Sequence, residues 1–354
     1  MRTPRPSTTP LPLLTVLVLA CAALLVSACG DDEGRTDDST AVAKTAESPA
    51  EARLRELNEA LDNQPGDADL LRERGELYLD NEVYDLAIAD LQASLRADSA
   101  RWETWHRLAD AQLDGARSRD ALNTMIFAGS RFRDRVGTLL KLAEFQYILQ
   151  RYDDALATLD RAAQLDANEA EVFFMIGQVL REQADTARAI NAYQRATELD
   201  AELLDAWLAL GLLHEGLGNA IAERYFTTAT NVARERAQPY RMRADYYVRQ
   251  GRLAEALAGY DEAIARDPRL AEAFFNSALV LLDLDSVGRA REQLDRALAV
   301  RPMYPEALYF RGQALELQGD LDGARASYQQ ARNLAPSYDE PAAALGRLAD
   351  GNDS

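Results

Sequence analysis

The chain has 354 residues, 47% of them hydrophobic and 27% charged, which is enough apolar material to bury a sizeable core. Its formal net charge is -19, so the concentrated basic face that nucleic-acid phosphates require is not expected, and nucleic acid is set aside as a partner. Both cysteines, Cys21 and Cys29, lie near the N-terminus, which leaves the body with neither an internal disulfide nor a thiolate metal site.

The N-terminus reads in three parts. MRTPRPSTTP is basic and polar, LPLLTVLVLACAALLV is apolar, and SACG supplies small residues, the layout of a secretory leader. Val26 to Cys29, VSAC, resembles the lipobox of bacterial lipoproteins, where an aliphatic residue and two small ones precede the lipidated cysteine. That resemblance implies removal of residues 1–28 and lipid on Cys29. Cys21 fits less well, because large Leu19 stands before Ala20 and an apolar run would remain after the cut. Two other readings stay open. One is an ordinary signal peptide cut after Ala28, giving a secreted soluble protein. The other is an uncleaved anchor, for which the run is marginal against the ~20 residues of a span and is interrupted by Pro12 and Thr15.

Residues 29–49 follow as a small, acidic stretch without aromatics, which reads as a flexible linker. About twenty such residues have a typical end-to-end distance of ~25 Å, so the body would stand clear of a membrane. Lipoproteins of this kind carry three acyl chains, a durable anchor by comparison with a single chain. Gly30 stands where the inner-membrane retention rule has aspartate, so the expected address is the outer membrane of a bacterial envelope, facing the periplasm.

Beyond the linker the chain repeats itself. VFFMIGQVLREQADTARAINAYQRATELDA from Val172, AWLALGLLHEGLGNAIAERYFTTATNVARE from Ala206, AFFNSALVLLDLDSVGRAREQLDRALAVRP from Ala273 and ALYFRGQALELQGDLDGARASYQQARNLAP from Ala307 align with one another. A large residue opens each, a small one follows four later, and two alanines recur farther on. The pattern resembles the tetratricopeptide repeat family, whose unit of about 34 residues has large residues at positions 4 and 11, small at 8, Ala at 20 and 27, an aromatic at 24 and often Pro at 32.

The register closes over the whole body. Position 8 falls on Gly75, Ala109, Ala143, Gly177, Gly211, Ala244, Ala278 and Gly312. Position 20 falls on Ala87, Ala121, Ala155, Ala189, Ala222, Ala256, Ala290 and Ala324, with one residue missing from the fifth unit between its helices. Small residues at these positions let paired helices approach to ~8 Å. Trp105, Phe173, Trp207 and Phe274 at position 4 are expected in the core, and Pro65, Pro268, Pro302 and Pro336 at position 32 stop second helices. In the second unit Gln112 and Met125 depart from the pattern, and Gly129 and Ser130 are read as following its second helix, so local irregularity is expected there.

The implied fold is all-α, a right-handed α-solenoid of antiparallel helix pairs. A half repeat over 50–67 precedes eight repeats from 68, the array ends at 338, and 339–354 forms a closing helix and tail. Such an array is one cooperative body.

First helices would line the concave side, with positions 4, 7, 8 and 11 facing the partner helix and 2, 5, 9 and 12 facing the groove. The fifth unit then presents Asp205, Leu208, Leu212 and Glu215, and the seventh Glu272, Phe275, Leu279 and Leu282. Phe174 and Met175, and Tyr309 and Phe310, join them from neighbouring units. This stripe would suit a helix or extended segment of a partner protein. Packing between adjacent units is the competing reading for each residue. Arg241 and Arg249 interrupt the apolar track, either to hold an acidic group of the ligand or to form internal ion pairs. The carboxylate clamp of some family members needs Lys and Asn at positions 5 and 9; Arg72 with Glu76 and His106 with Asp110 do not supply it.

An enzyme is not expected. His106 and His214 are the only histidines, and no phosphate loop or HExxH motif is present, so no catalytic residue, metal, cofactor or small-molecule substrate is assigned. The function expected is a membrane-anchored adaptor or scaffold for protein partners in secretion, pilus or envelope assembly. A permanently packed structural subunit of an envelope machine is the alternative.

Overall fold

A computed structural model of the chain describes residues 48–350. The leader over 1–28, Cys29, nearly all of the 29–49 linker and the final residues 351–354 lie outside the described residues.

Among the described residues every regular element is an α-helix. The half repeat is α1 (Pro49–Asn63). The eight units, each a first and a second helix, are α2 (Ala68–Asp80) with α3 (Tyr84–Ala97), α4 (Trp102–Asp114) with α5 (Ser118–Arg131), α6 (Val136–Ile148) with α7 (Tyr152–Leu165), α8 (Ala170–Glu182) with α9 (Thr186–Leu199), α10 (Leu204–Gly216) with α11 (Ala222–Val232), α12 (Ala237–Arg249) with α13 (Leu253–Arg266), α14 (Ala271–Asp283) with α15 (Val287–Val300), and α16 (Pro305–Leu317) with α17 (Leu321–Leu334). α18 (Asp339–Asp350) closes the array. Each helix packs on the next in sequence, as a solenoid requires. None is long and apolar enough to cross a membrane.

The helix crossing inside each unit is set by the residue at position 8 and its partner at 24. Where position 8 is glycine, an aromatic ring usually lies directly over it. A Cβ on Gly177 would sit 2.7 Å from the Tyr193 ring, one on Gly211 2.8 Å from Phe226, and one on Gly312 2.5 Å from Tyr328. Where position 8 is Ala109, Ala143 or Ala278, the residue opposite is Met125, Leu159 or Leu294, all buried. Unit six combines Ala244 with Tyr260, and accommodates the pair by placing Gly259 against the Ala244 methyl. Volume is thus conserved across the crossing, as close packing demands.

The turn inside every unit is the same Schellman closure. Its left-handed residue is Glu82, Ala116, Gln150, Ala184, Gly218, Gly251, Asp285 or Gly319, all at position 15, with φ between 55 and 81°. In unit one, for example, Val83 N donates to Tyr78 O at 2.8 Å and Glu82 N to Leu79 O at 2.9 Å. Only three of the eight positions are glycine, so local sequence does not announce the motif.

Two expectations need correction. Gly129 and Ser130 lie inside α5, which is regular to Arg131; a Cβ on Gly129 would meet Leu142 at 2.8 Å, so the glycine admits the next unit's first helix. Gln112 is buried but satisfied, accepting from Thr124 Oγ1 at 2.7 Å. Of the four aromatics expected in the core from position 4, Phe274 is buried, as is Tyr240 at the same position of unit six. Trp105, Phe173 and Trp207 are half-buried at the core's edge. The two indoles stay there because each N–H needs a partner: Trp105 donates to Ser99 O at 3.1 Å and Trp207 to Ala201 O at 2.9 Å.

Candidate peptide-binding groove

Successive first helices touch one another directly, α2 with α4, α4 with α6, α6 with α8, and α10, α12, α14 and α16 in turn. Their outward positions therefore form an inner face along α2 to α8 and along α10 to α16. A concavity of about 670 Å³ on it spans units two to four. Trp102 and His106 come from α4, Arg135 precedes α6, Leu140, Lys141 and Glu144 project from α6, and Glu171, Phe174 and Gln178 from α8.

One side of this recess is basic and aromatic. The Arg135 guanidinium lies 3.7 Å from the Trp102 ring centre, and Trp102 meets the His106 ring edge-on at 4.8 Å. His106 Nε2 is 3.2 Å from Thr138 Oγ1. Burial, together with the positive charges of Lys141 and Arg135, pushes the His106 pKa down to about 4, against a smaller opposing pull from Asp110, so the ring is neutral near pH 7. Lys141 Nζ bridges Asp110 at 2.9 Å and Glu144 at 3.2 Å. Burial alone would lower its pKa, but these two carboxylates outweigh that and raise it. The opposite wall is acidic: burial, then the nearby charges of Glu169, Asp205 and Glu144, raise the pKa of Glu171. The recess therefore offers a cation–π platform, a neutral imidazole and a carboxylate wall around the apolar Leu140 and Phe174. That arrangement suits a polar chain with an apolar anchor.

The residues nominated from sequence fall into three groups. Phe174 lines the recess, half-buried, with its ring 5.6 Å from Tyr193. Met175 also lines the recess, although most of its side chain is buried in the core of units three and four, whereas Leu208 is buried in that of units five and six. Leu212 is exposed. Phe275, Leu282, Tyr309 and Phe310 are half-buried against the core of the last two units, and Leu279 on α14 is likewise half-buried. Their rings form a chain, Tyr304 to Phe275 at 5.0 Å, Phe275 to Phe310 at 5.7 Å, Phe310 to Tyr309 at 5.2 Å, and Tyr309 to Tyr338 at 5.5 Å. Burial, followed by the Glu272 charge, pushes the Tyr304 pKa up to about 12. Arg241 donates to Asp245 at 2.7 Å, and Asp245 also accepts from Tyr260 and Asn276 at 2.7 and 3.1 Å. Arg249 forms a forked pair with Glu215. Both arginines are thus held in internal ion pairs.

Of the recess, the sequence nominates Phe174 and Met175 but not Leu140, Glu144 or Gln178, whose signal lies in the same register. His106, Leu140 and Phe174 occupy position 5 of three consecutive units, and Glu144 and Gln178 position 9.

Residues 241–292 and 275–339 match a tetratricopeptide repeat family model, and residues 177–218 match a second TPR repeat model. These matches cover part of the chain, and with the architecture above they show an all-helical repeat array built of units similar to tetratricopeptide repeats. It is 36% identical over 84 residues to mouse Superkiller complex protein 3, covering 24% of this chain and 5% of that one. It is 33% identical over 86 residues to the tetratricopeptide repeat and J domain-containing co-chaperone DNJ1 of Fusarium oxysporum, covering 24% and 16%. The chain spans only a small part of the length of these relatives. Among solved structures, yeast Tom70 superposes with a TM-score of 0.54 at 18% identity, covering 90% of this chain and 67% of that chain. The C-terminal part of a TPR repeat-containing protein from Cytophaga hutchinsonii gives 0.55 at 16% identity, covering 68% and 99%. At such identities the likeness is one of fold.

Proposed function

We propose that this protein is a non-catalytic adaptor that holds a segment of a partner polypeptide in the inner groove of units two to four, and that Cys29 carries lipid tethering the array to a bacterial envelope membrane. The observation that carries the binding reading is the recess across α4, α6 and α8, where Leu140 and Phe174 supply an apolar floor and Arg135, Trp102, His106 and Glu171 supply direction. Side chains from three consecutive units converge there, which suits a ligand that runs along the groove. The VSAC motif after an apolar leader supports the anchor, and the acidic linker supports a body held off the membrane surface. An outer-membrane, periplasm-facing location completes this reading, with secretion, pilus or envelope assembly as the setting.

Two experiments test it separately. A photo-crosslinking residue at Leu140 or Phe174 in the native host is expected to give a discrete partner adduct, while one at Gln164 on α7 gives none; equal adducts from both faces, or none from the groove, overturn the groove reading. Metabolic labelling with an alkyne fatty acid is expected to mark the protein and to be lost in Cys29→Ala; label that survives the substitution, or never appears, overturns the anchor.

A further inference from the structure

Position 2 of the first helix is Asp or Glu in six of the eight units, an ordinary place for a negative charge near a helix start. Two of these acids are tied down by an arginine from the end of the same unit. Asp69 takes a forked pair from Arg101, with Nη2 to Oδ2 at 2.9 Å, and Glu272 pairs with Arg301. At the recess that pairing fails from both sides. Arg135 follows Glu103 by the same 32 residues that separate Arg101 from Asp69, yet its guanidinium lies over Trp102 and reaches no carboxylate among the described residues. The indole stands at position 1, where unit one has Ala68 and unit seven Ala271. It offers a stacking face that those units lack, and stacking leaves the N–H donors at the guanidinium edge unspent.

In unit four the arginine is missing outright. The residue 32 beyond Glu171 is Leu203, packed against the core of units four and five. Glu171 has no cation within ion-pair distance among the described residues, and the charges that act on it, Glu169, Asp205 and Glu144, are all negative. Between Arg135 and Glu171, unit three breaks the acidic pattern with Gly137, where an added Cβ would meet nothing within 4 Å. What sets this place apart is that an arginine without a carboxylate and a carboxylate without a cation face one concavity, with apolar Leu140 and Phe174 in its lining.

We propose that the recess selects an extended, dipolar segment of a partner protein, with a carboxylate seated on the Arg135 edge beside Trp102, an apolar side chain on Leu140 and Phe174, and a lysine or arginine against Glu171. This rests on the groove reading above and adds what the segment must carry. Charge complementarity fixes the order along the array, acid towards unit two and base towards unit four. Packed helices lie ~8–10 Å apart, so acid and base are separated by one to two such spacings, about three to six residues of extended chain. An all-acidic segment is repelled at Glu171 and by a body of net charge -19, and an all-basic one meets Arg135.

The probe is a phage-displayed library of random peptides about twelve residues long, selected on the full chain, and then a synthetic peptide of one enriched clone read by fluorescence anisotropy. Enriched sequences are expected to carry Asp or Glu and Lys or Arg about three to six residues apart around an apolar residue. Arg135→Glu and Glu171→Lys are each expected to weaken the clone peptide at least ~10-fold, and exchanging its acidic residue for Lys to restore binding to Arg135→Glu alone. Gly137→Glu, which returns the acid of the other units to open space, is expected to weaken it about fivefold with an unchanged urea midpoint. Enrichment without that charge pattern, no enrichment, or affinities within twofold across the charge variants overturn the proposal, as does a wild-type dimer that Glu171→Lys converts to monomer. Phe174→Ala separates this inference from the groove reading. Loss of the clone peptide in Phe174→Ala while the charge variants bind like wild type keeps the groove and sinks the dipolar segment, whereas a clone peptide indifferent to Phe174→Ala overturns both.

Discussion

The inner face of the array serves different ends in its two halves. In units two to four, position 5 holds His106, Leu140 and Phe174, the residues at position 9 are polar, and a recess of about 670 Å³ opens between neighbouring helices. In units seven and eight, position 5 holds Phe275 and Tyr309, Phe310 sits beside them, and Tyr304 and Tyr338 add rings from the adjoining junctions. There the wall is filled by aromatic side chains that lie 5.0 to 5.7 Å from one another. Both halves share one register. Ring density decides whether an inward residue is left for a ligand or taken by the next unit, because each aromatic pair adds about 0.5–1.5 kcal/mol to holding its members in place.

The contrast breaks most sharply at the foot of the C-terminal ladder. Tyr328 lies under Tyr309 at 5.7 Å and donates its hydroxyl to Glu316 at 2.6 Å, and it reaches that place only because Gly312 has no side chain. Gly312→Ala is expected to destabilise the C-terminal units by roughly 2–3 kcal/mol, since ring and methyl cannot share the crossing. The opposite exchange in the open half, Ala143→Gly, is expected to cost only about 1 kcal/mol, mainly through helix propensity. Urea unfolding followed by local hydrogen exchange reads both.

Next in size is the ladder's middle. Phe275→Ala is expected to cost about 2 kcal/mol, below the value for a fully buried phenylalanine because the ring is half-buried, and to leave the photo-crosslinked partner yield from the recess unchanged. Phe174→Ala should do the reverse, with about 1 kcal/mol of stability lost and the partner adduct lost with it. If Phe275→Ala proves silent in stability and damaging to capture, the assignment of the two halves is inverted.

A smaller effect distinguishes the halves by pH. His106 is folded in its neutral form, with its pKa held at about 4 against an ordinary value of 6.5. Above pH 6.5 folded and unfolded states both carry a neutral ring, and its contribution is fully present. As pH falls from 6.5 towards 4 the unfolded chain takes up a proton that the folded recess refuses, so stability falls over that window. Allowing for partial exposure of the ring, the loss is on the order of 1 kcal/mol. It is read as the difference in urea midpoint between wild type and His106→Gln at pH 7 and pH 4. The ladder has no histidine and should show no counterpart.

How far the sequence foretells this molecule differs by level. Helix pairing followed from spacing because Gly and Ala at fixed positions report helix crossings and Pro reports stops, although the end of α5 beyond Ser130 did not. Side-chain fate at the inner face did not follow. Leu208 and Leu212 are one turn apart in the same nominal stripe, yet the first is buried in the core that units five and six share with Tyr246 and the second is exposed. Arg249 finds Glu215, one unit away and 34 residues earlier, a pairing fixed only by stacking. The recess, likewise, is a property of three helices together and of no single repeat.

The smallest expected effect should ignore the contrast altogether. Ala184 in the open half and Asp285 in the filled half occupy the same turn position with φ of 59 and 55°. A Cβ in that left-handed conformation costs roughly 1–2 kcal/mol, and the turn's hydrogen bonds hold it there, Asp185 N to Leu180 O at 2.9 Å and Ser286 N to Leu281 O at 2.8 Å. Ala184→Gly and Asp285→Gly remove that cost but add backbone freedom to the unfolded chain, so the net gain is expected to be about 0.5–1 kcal/mol each. Gly218, Gly251 and Gly319 already occupy this position with nothing within 4 Å of an added Cβ, so the reverse exchange Gly319→Ala should cost a similar amount through backbone strain alone. Equal gains at Ala184 and Asp285 place the turn's energetics in the local closure. A gain at one and not the other would mean that groove packing reaches into the turns, and the two halves would then differ in their scaffold as well as in their surface.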